Sequence, residues 1–164
     1  MKKGGKIALT VFNFIAVIGV FLYGLAFIFV GLFAEALAAV FVGVASGGEA
    51  TVDGEIVRMF TTPALLLMAT SVVALVATIL LIVSFKKPVK GLQIALGVSY
   101  GLCAILVIVA IVLLLMKMSF DQGSIAAIIG IIVVALLHVA LYVLSALFGG
   151  FKPAFKKEAA PSEE

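Results

Sequence analysis

Four apolar runs, each long enough to cross a lipid bilayer, constrain this chain more than any other feature. A membrane-spanning helix needs about 20 apolar residues. Such runs cover residues 7–33, 63–85, 91–116 and 124–148. The expected fold is an all-α membrane protein, a four-helix antiparallel transmembrane bundle spanning residues 1–150. A cytoplasmic tail, 151–164, follows. Composition closes off the soluble alternative. The hydrophobic fraction is 65% and the charged fraction 12%, against roughly 45–50% and about 25% in soluble domains. A chain of 164 residues cannot hide that excess in a core, because small domains bury too little of their surface. The expected environment is the lipid bilayer.

Local signals set the expected limits. Thr62-Pro63 reads as an N-cap followed by proline at the first helical position. Pro88, within Lys86-Lys87-Pro88-Val89-Lys90, stops the second span and makes a short turn. Gly149-Gly150 ends the fourth. Met1-Lys2-Lys3 looks like a basic leader and Ala34-Glu35-Ala36 like a cleavage site. The apolar region behind the leader is 27 residues long, whereas signal peptides use roughly 7–15, so the first span is expected to stay uncleaved.

Orientation follows from the basic residues. Lys2, Lys3, Lys6, Lys86, Lys87, Lys90, Lys152, Lys156 and Lys157 share one side; Arg58 and Lys117 lie on the other. The nine-to-two bias makes the first side cytoplasmic, with both termini on it, in a cell membrane. Glu35, Glu49, Asp53, Glu55 and Asp121 lie outside; Glu158, Glu163 and Glu164 lie inside.

The outer loop 34–62 is the only sizeable exposed segment. A helix from residue 7 to 45 would be about 58 Å long, beyond a ~30 Å hydrocarbon core. The apolar stretch 36–45 must therefore protrude, break near Gly31, or be covered. Beyond Gly47-Gly48, Asp53-Gly54 is a two-residue turn between 49–52 and 55–59, which predicts either a small β-hairpin or a plain loop. Glu35, Glu49, Asp53, Glu55 and Arg58 are the outer-loop candidates for an interaction, although Glu35 alone also reads as a solvated helix boundary.

Polar and small residues inside the spans are the remaining candidates. Thr10, Val17, Gly24 and Gly31, with Asn13, Val20 and Phe27, form a heptad seam on the first helix. Gly97 and Gly101 have the small-xxx-small spacing that lets helices approach. Gly24, Gly31, Gly97 and Gly101 are the expected packing positions. At about 1.5 Å per residue, Asn13, Thr78, Tyr100 and His138 lie about 9, 11, 14 and 15 Å from the cytoplasmic helix ends. They predict one interhelical cluster with Tyr142 beneath it. Such a cluster either ties helices together or lets His138 titrate and relay protons; no intramembrane carboxylate stands beside it.

The run Lys6-x-x-Leu9-x-x-Phe12-Asn13-Phe14, followed by Gly19, resembles the first transmembrane helix of tetraspanins. The chain lacks that family's Cys-Cys-Gly motif and large outer domain. The loop layout resembles claudin-type four-helix proteins, without their Trp and paired cysteines. Small bacterial four-helix proteins share the layout. These resemblances imply a scaffold rather than an enzyme.

One cysteine (Cys103) and one histidine preclude an internal disulfide and a single-chain zinc site, so no metal and no cofactor are expected. No serine has a base and an orienting acid, and no glycine loop cradles phosphate. The lysines flank spans instead of forming a nucleic-acid stripe. The expectation is a non-enzymatic, multi-pass scaffold or interaction protein, a homo-oligomer or partner of another membrane protein, with no nucleic acid. The alternative is a small transporter or an ion or proton channel subunit using the Asn/His/Tyr cluster.

Overall fold

Backbone N–H and C=O groups in an apolar medium must bond within their own segment, and every apolar run here is helical. A computed structural model of the chain describes residues 3–46, 55–116 and 125–155. Its elements are α1 (Lys3–Ser46), α2 (Glu55–Lys86), α3 (Lys90–Leu115) and α4 (Ile125–Ser145). A π-helical turn, π1 (Ala146–Phe151), and the single turn α5 (Lys152–Ala154) complete the described elements. The four long helices are each long and apolar enough to cross a membrane. The first two form the most extensive pair, α3 packs on α2, and α4 meets α3 far more than α1. The core runs from Ala16, Val17 and Val20 through Ala74, Ala77 and Leu81 to Leu96, Tyr100 and Val107.

The first helix does not break at Gly31. Its 44 residues make it about 66 Å long. Gly31 is buried, and a Cβ there would lie 3.0 Å from Phe60 Cβ. The glycine is therefore a contact with α2 and leaves the helix continuous. At Gly24 a Cβ would meet Met68 Cγ at 2.7 Å and the Ala64 carbonyl at 3.0 Å. Asn13, Ala16, Val17 and Val20 are buried below it.

The second helix starts eight residues before the expected Pro63. Pro63 lies inside it and is fully buried. Packing overrides the local signal: Phe60 covers Gly31, and its ring centroid lies 6.4 Å from that of Phe27. The hairpin, one of the two alternatives for this loop, does not form as drawn. Its second arm, 55–59, is the opening of α2; its first arm, 49–52, lies outside the described residues.

A buried helix start needs acceptors for its first amides. Here the acceptor comes from another helix: the Val57 N–H donates to Glu35 Oε2 at 3.1 Å. Glu35, read from sequence as a solvated boundary, is half-buried and caps α2. Replacing Glu35 with Ala should cost about 0.5–2 kcal/mol, the range for a lost N-cap. Glu35→Gln, which keeps an acceptor, should recover most of it. Thermal unfolding in mild detergent measures both, and an unchanged Tm for Glu35→Ala would show the contact to be idle.

The Glu35–Val57 contact also fixes how far α1 overshoots. Residues 36–46 run about 16 Å past it. On this extension Val40, Phe41 and Val44 are 61%, 71% and 80% exposed.

At the opposite, basic end α2 stops at Lys86. Pro88 and an extended Val89 (φ −98°, ψ 127°) lead into α3. Gly149-Gly150 does not end α4. The chain continues as π1, with the Lys152 N–H reaching the Leu147 carbonyl. Glycine is needed at position 150 because π1 crosses α3 backbone to backbone. A Cβ on Gly150 would fall 2.4 Å from Gly97 N. Phe151 packs its ring against Gly97, and the helical segment runs on from π1 into α5 across positions 150 and 151.

Candidate functional site

The expected five-residue cluster divides into three separate sites. Each begins with a side chain bonding its own helix, the habit of Ser, Thr and Asn within helices.

The first site joins α1 to α4. Asn13 Nδ2 donates to the Leu9 carbonyl at 2.9 Å, which leaves Oδ1 facing the neighbouring helix. The Ser145 hydroxyl reaches Oδ1 at 3.0 Å and the Leu141 carbonyl at 2.8 Å, so its one proton is shared between two acceptors. Both residues are buried. Ser145 was not among the expected cluster residues. Its place seven residues beyond His138, on the same stripe, was the available signal.

The second site joins α2 to α3. Thr78 Oγ1 donates to the Ala74 carbonyl at 2.7 Å. That uses its only proton, so the 3.1 Å contact with Tyr100 must be a hydrogen bond donated by the tyrosine. The Tyr100 ring stacks on Tyr142 of α4, with centroids 6.2 Å apart and planes 25° apart. The Tyr142 hydroxyl is fully buried and has no hydrogen-bond partner among the described residues. Nearby, Cys103 Sγ lies 3.8 Å from the Thr70 carbonyl, a weak contact for a buried thiol.

The third site is His138 alone. Its Nδ1 lies 2.8 Å from the Val134 carbonyl. A carbonyl only accepts, so Nδ1 carries a proton. The ring meets Tyr23 edge-on at 6.0 Å, and Nε2 lies over Gly19, where a Cβ would come within 2.9 Å. His138 thus faces α1 one turn above Tyr142, away from Asn13 and Thr78. The physical reason is the register of α4 on α1: Ser145 meets Asn13, so His138, two turns away on α4, lies beside Gly19 and Tyr23. Beside His138 is a cavity of ≈ 30 Å³ lined almost wholly by apolar groups such as Val20, Phe27, Leu67 and Val107. A space of this size holds about one water and, without polar partners, no chain of them.

The packing glycines also divide. Gly24, Gly31 and Gly97 are closely covered, whereas a Cβ on Gly101 would meet nothing within 4 Å. Among the described residues Gly101 therefore makes no close contact, unlike Gly97.

Of the outer-loop candidates, Glu35 is used internally and Arg58 is exposed on the first turn of α2. The backbone of Glu55 opens α2, and Glu49 and Asp53 lie outside the described residues. Among the described residues no group of three His, Cys, Asp or Glu side chains comes together as a metal set.

These features define a class: an all-helical bundle with four helices able to cross a membrane and a polar core split into pairs. No protein-family model matches the chain, and comparison with curated proteins and with solved structures returns no match.

Proposed function

We propose that the chain is a multi-pass membrane scaffold that assembles laterally, with itself or with another membrane protein, through its outer end. The lysine-rich end would face the cytoplasm of a cell membrane, by the bias of basic residues toward that side. One observation carries the reading. Residues 36–46 run about 16 Å past the Glu35–Val57 contact, and Val40, Phe41 and Val44 stay largely exposed there. A contiguous apolar surface on an element that overshoots its own bundle is what a partner helix covers. The scaffold role that the tetraspanin and claudin resemblances imply agrees with this reading. The proposed role is non-enzymatic.

Transport would need a polar path through the bundle. Among the described residues no hydrogen bond joins the Asn13–Ser145 pair, the Thr78–Tyr100 pair and His138, and the space beside His138 is small and apolar. This favours assembly over conduction.

Cysteine cross-linking in native membranes tests the proposal, in a Cys103→Ala background. Phe41→Cys and Val44→Cys should give cross-linked species on oxidation. Ile105→Cys, also exposed but on a mid-span face of α3, should not. Uniform monomers at all positions, with no partner retained in lipid discs, would overturn the reading. Proteoliposome flux abolished by Asn13→Leu or His138→Ala would replace it with transport.

A further inference from the structure

The basic end contains a built cleft that the assembly reading does not use. It lies between the start of α1, the end of α2, the turn at Pro88 and π1. Its volume is ≈ 430 Å³, within the range of small-molecule sites (~300–1,000 Å³). Lys6 and Lys152 line it from opposite elements, with Ser84, Gln93 and Phe148 between them. Each lysine is held across an aromatic ring: Lys6 Nζ is 5.0 Å from the Phe85 centroid, and Lys152 Nζ is 5.0 Å from that of Phe148. This leaves both ammonium groups at the cleft with their stems on apolar surface. Among the described residues no acidic side chain lines it. Lys90, over the Phe155 ring at 5.9 Å, adds a third cation at the same end.

An apolar groove lies next to the cleft. Phe148 is a wall of both. The groove, ≈ 310 Å³, runs between α1 and α4 along Leu9, Phe12, Leu141 and Leu144. Cations above and an apolar furrow below match one kind of molecule, an amphiphile with an anionic head.

We propose that this end binds one anionic phospholipid, with its phosphate between Lys6 and Lys152 and an acyl chain along the Leu9–Leu144 groove. The inference rests on the membrane reading above but not on assembly. Phosphate supplies the charge that two cations can share, and a single chain in the groove fixes the lipid's orientation.

The test places the purified protein in lipid discs of phosphatidylcholine with a minor fraction of phosphatidylglycerol. Disc incorporation is scored first, which separates failure of the membrane reading from failure of this one. Native mass spectrometry then counts retained lipids. The expected result is one phosphatidylglycerol held in preference to phosphatidylcholine. Lys6→Gln with Lys152→Gln should weaken retention roughly 10–30-fold, while Lys86→Gln with Lys87→Gln, an equal charge loss outside the cleft, should change it less than about threefold. Leu144→Trp, which fills the groove, should also weaken it. Equal losses for the two lysine pairs would overturn the site in favour of diffuse surface charge. Inorganic phosphate binding the delipidated protein as tightly as the lipid, with Leu144→Trp silent, would overturn the lipid in favour of free phosphate. No preference between the two lipids would overturn the site outright.

Discussion

Replacing Gly150 with Ala should destabilise the bundle by at least about 3 kcal/mol, the upper part of the range for overpacking. The added Cβ would sit 2.4 Å from Gly97 N, 2.5 Å from Gly97 Cα and 2.9 Å from the Gln93 carbonyl. All three are backbone atoms of α3, so no side chain can swing aside, and π1 must lift off α3. Two neighbouring substitutions calibrate the effect. Gly97→Ala would press on the Phe151 ring at 2.8 Å, a side chain that can move, so its cost should be about 1–2 kcal/mol. Gly101→Ala meets open space and should be neutral or stabilising by up to about 1 kcal/mol, through helix propensity. Thermal unfolding in mild detergent, followed by circular dichroism, gives the order. A Tm for Gly150→Ala level with that of Gly101→Ala would disprove the backbone crossing.

Opposite signs are expected for the two stacked tyrosines. Tyr142→Phe removes a fully buried hydroxyl that has no partner and keeps the ring that packs on Tyr100. Burying an unmatched polar group costs about 1–3 kcal/mol, so the variant should be more stable by about that amount. Tyr100→Phe removes the donor to Thr78, and should cost about 0.6–2 kcal/mol, the scale of interhelical hydrogen bonds between apolar helices. The same melting experiment reads both. A loss of stability in Tyr142→Phe equal to that in Tyr100→Phe would mean that the hydroxyl is satisfied after all. The contrast matters for function, because an idle hydroxyl between separate polar pairs cannot pass a proton along a chain of bonds.

Local rules failed where packing between distant segments outweighed them. Thr62-Pro63 has the chemistry of a helix start, yet α2 begins at Glu55. Glu35 of α1 accepts the Val57 amide, and Phe60 fills the space over Gly31. Asp53-Gly54 suggested a turn between strands, but the following residues gain more as helix against α1. Gly149-Gly150 has the composition of a helix stop. It serves instead as the close crossing with Gly97, because only residues without a Cβ allow α3 and π1 to touch. Helix height, counted from the expected helix ends, suggested one level for Asn13, Thr78, Tyr100 and His138, but α1 begins at Lys3 and the helical chain after α4 runs on through π1 to Ala154. Which residues stand opposite each other is set by how the helices pack, and here Ser145 meets Asn13 while His138 meets Tyr23.

What the sequence determined by itself is the set of four helices. Hydropathy and length are sums over residues, and a backbone in apolar surroundings has no other way to pair its polar groups than to stay helical. What only the tertiary structure decided is where those helices end and which polar groups meet. The overshoot of α1, the cap from Glu35, the split of the polar core and the cleft between Lys6 and Lys152 all depend on how residues far apart in the chain pack. That packing is set by side-chain volume across helix contacts, and no local signal encodes it.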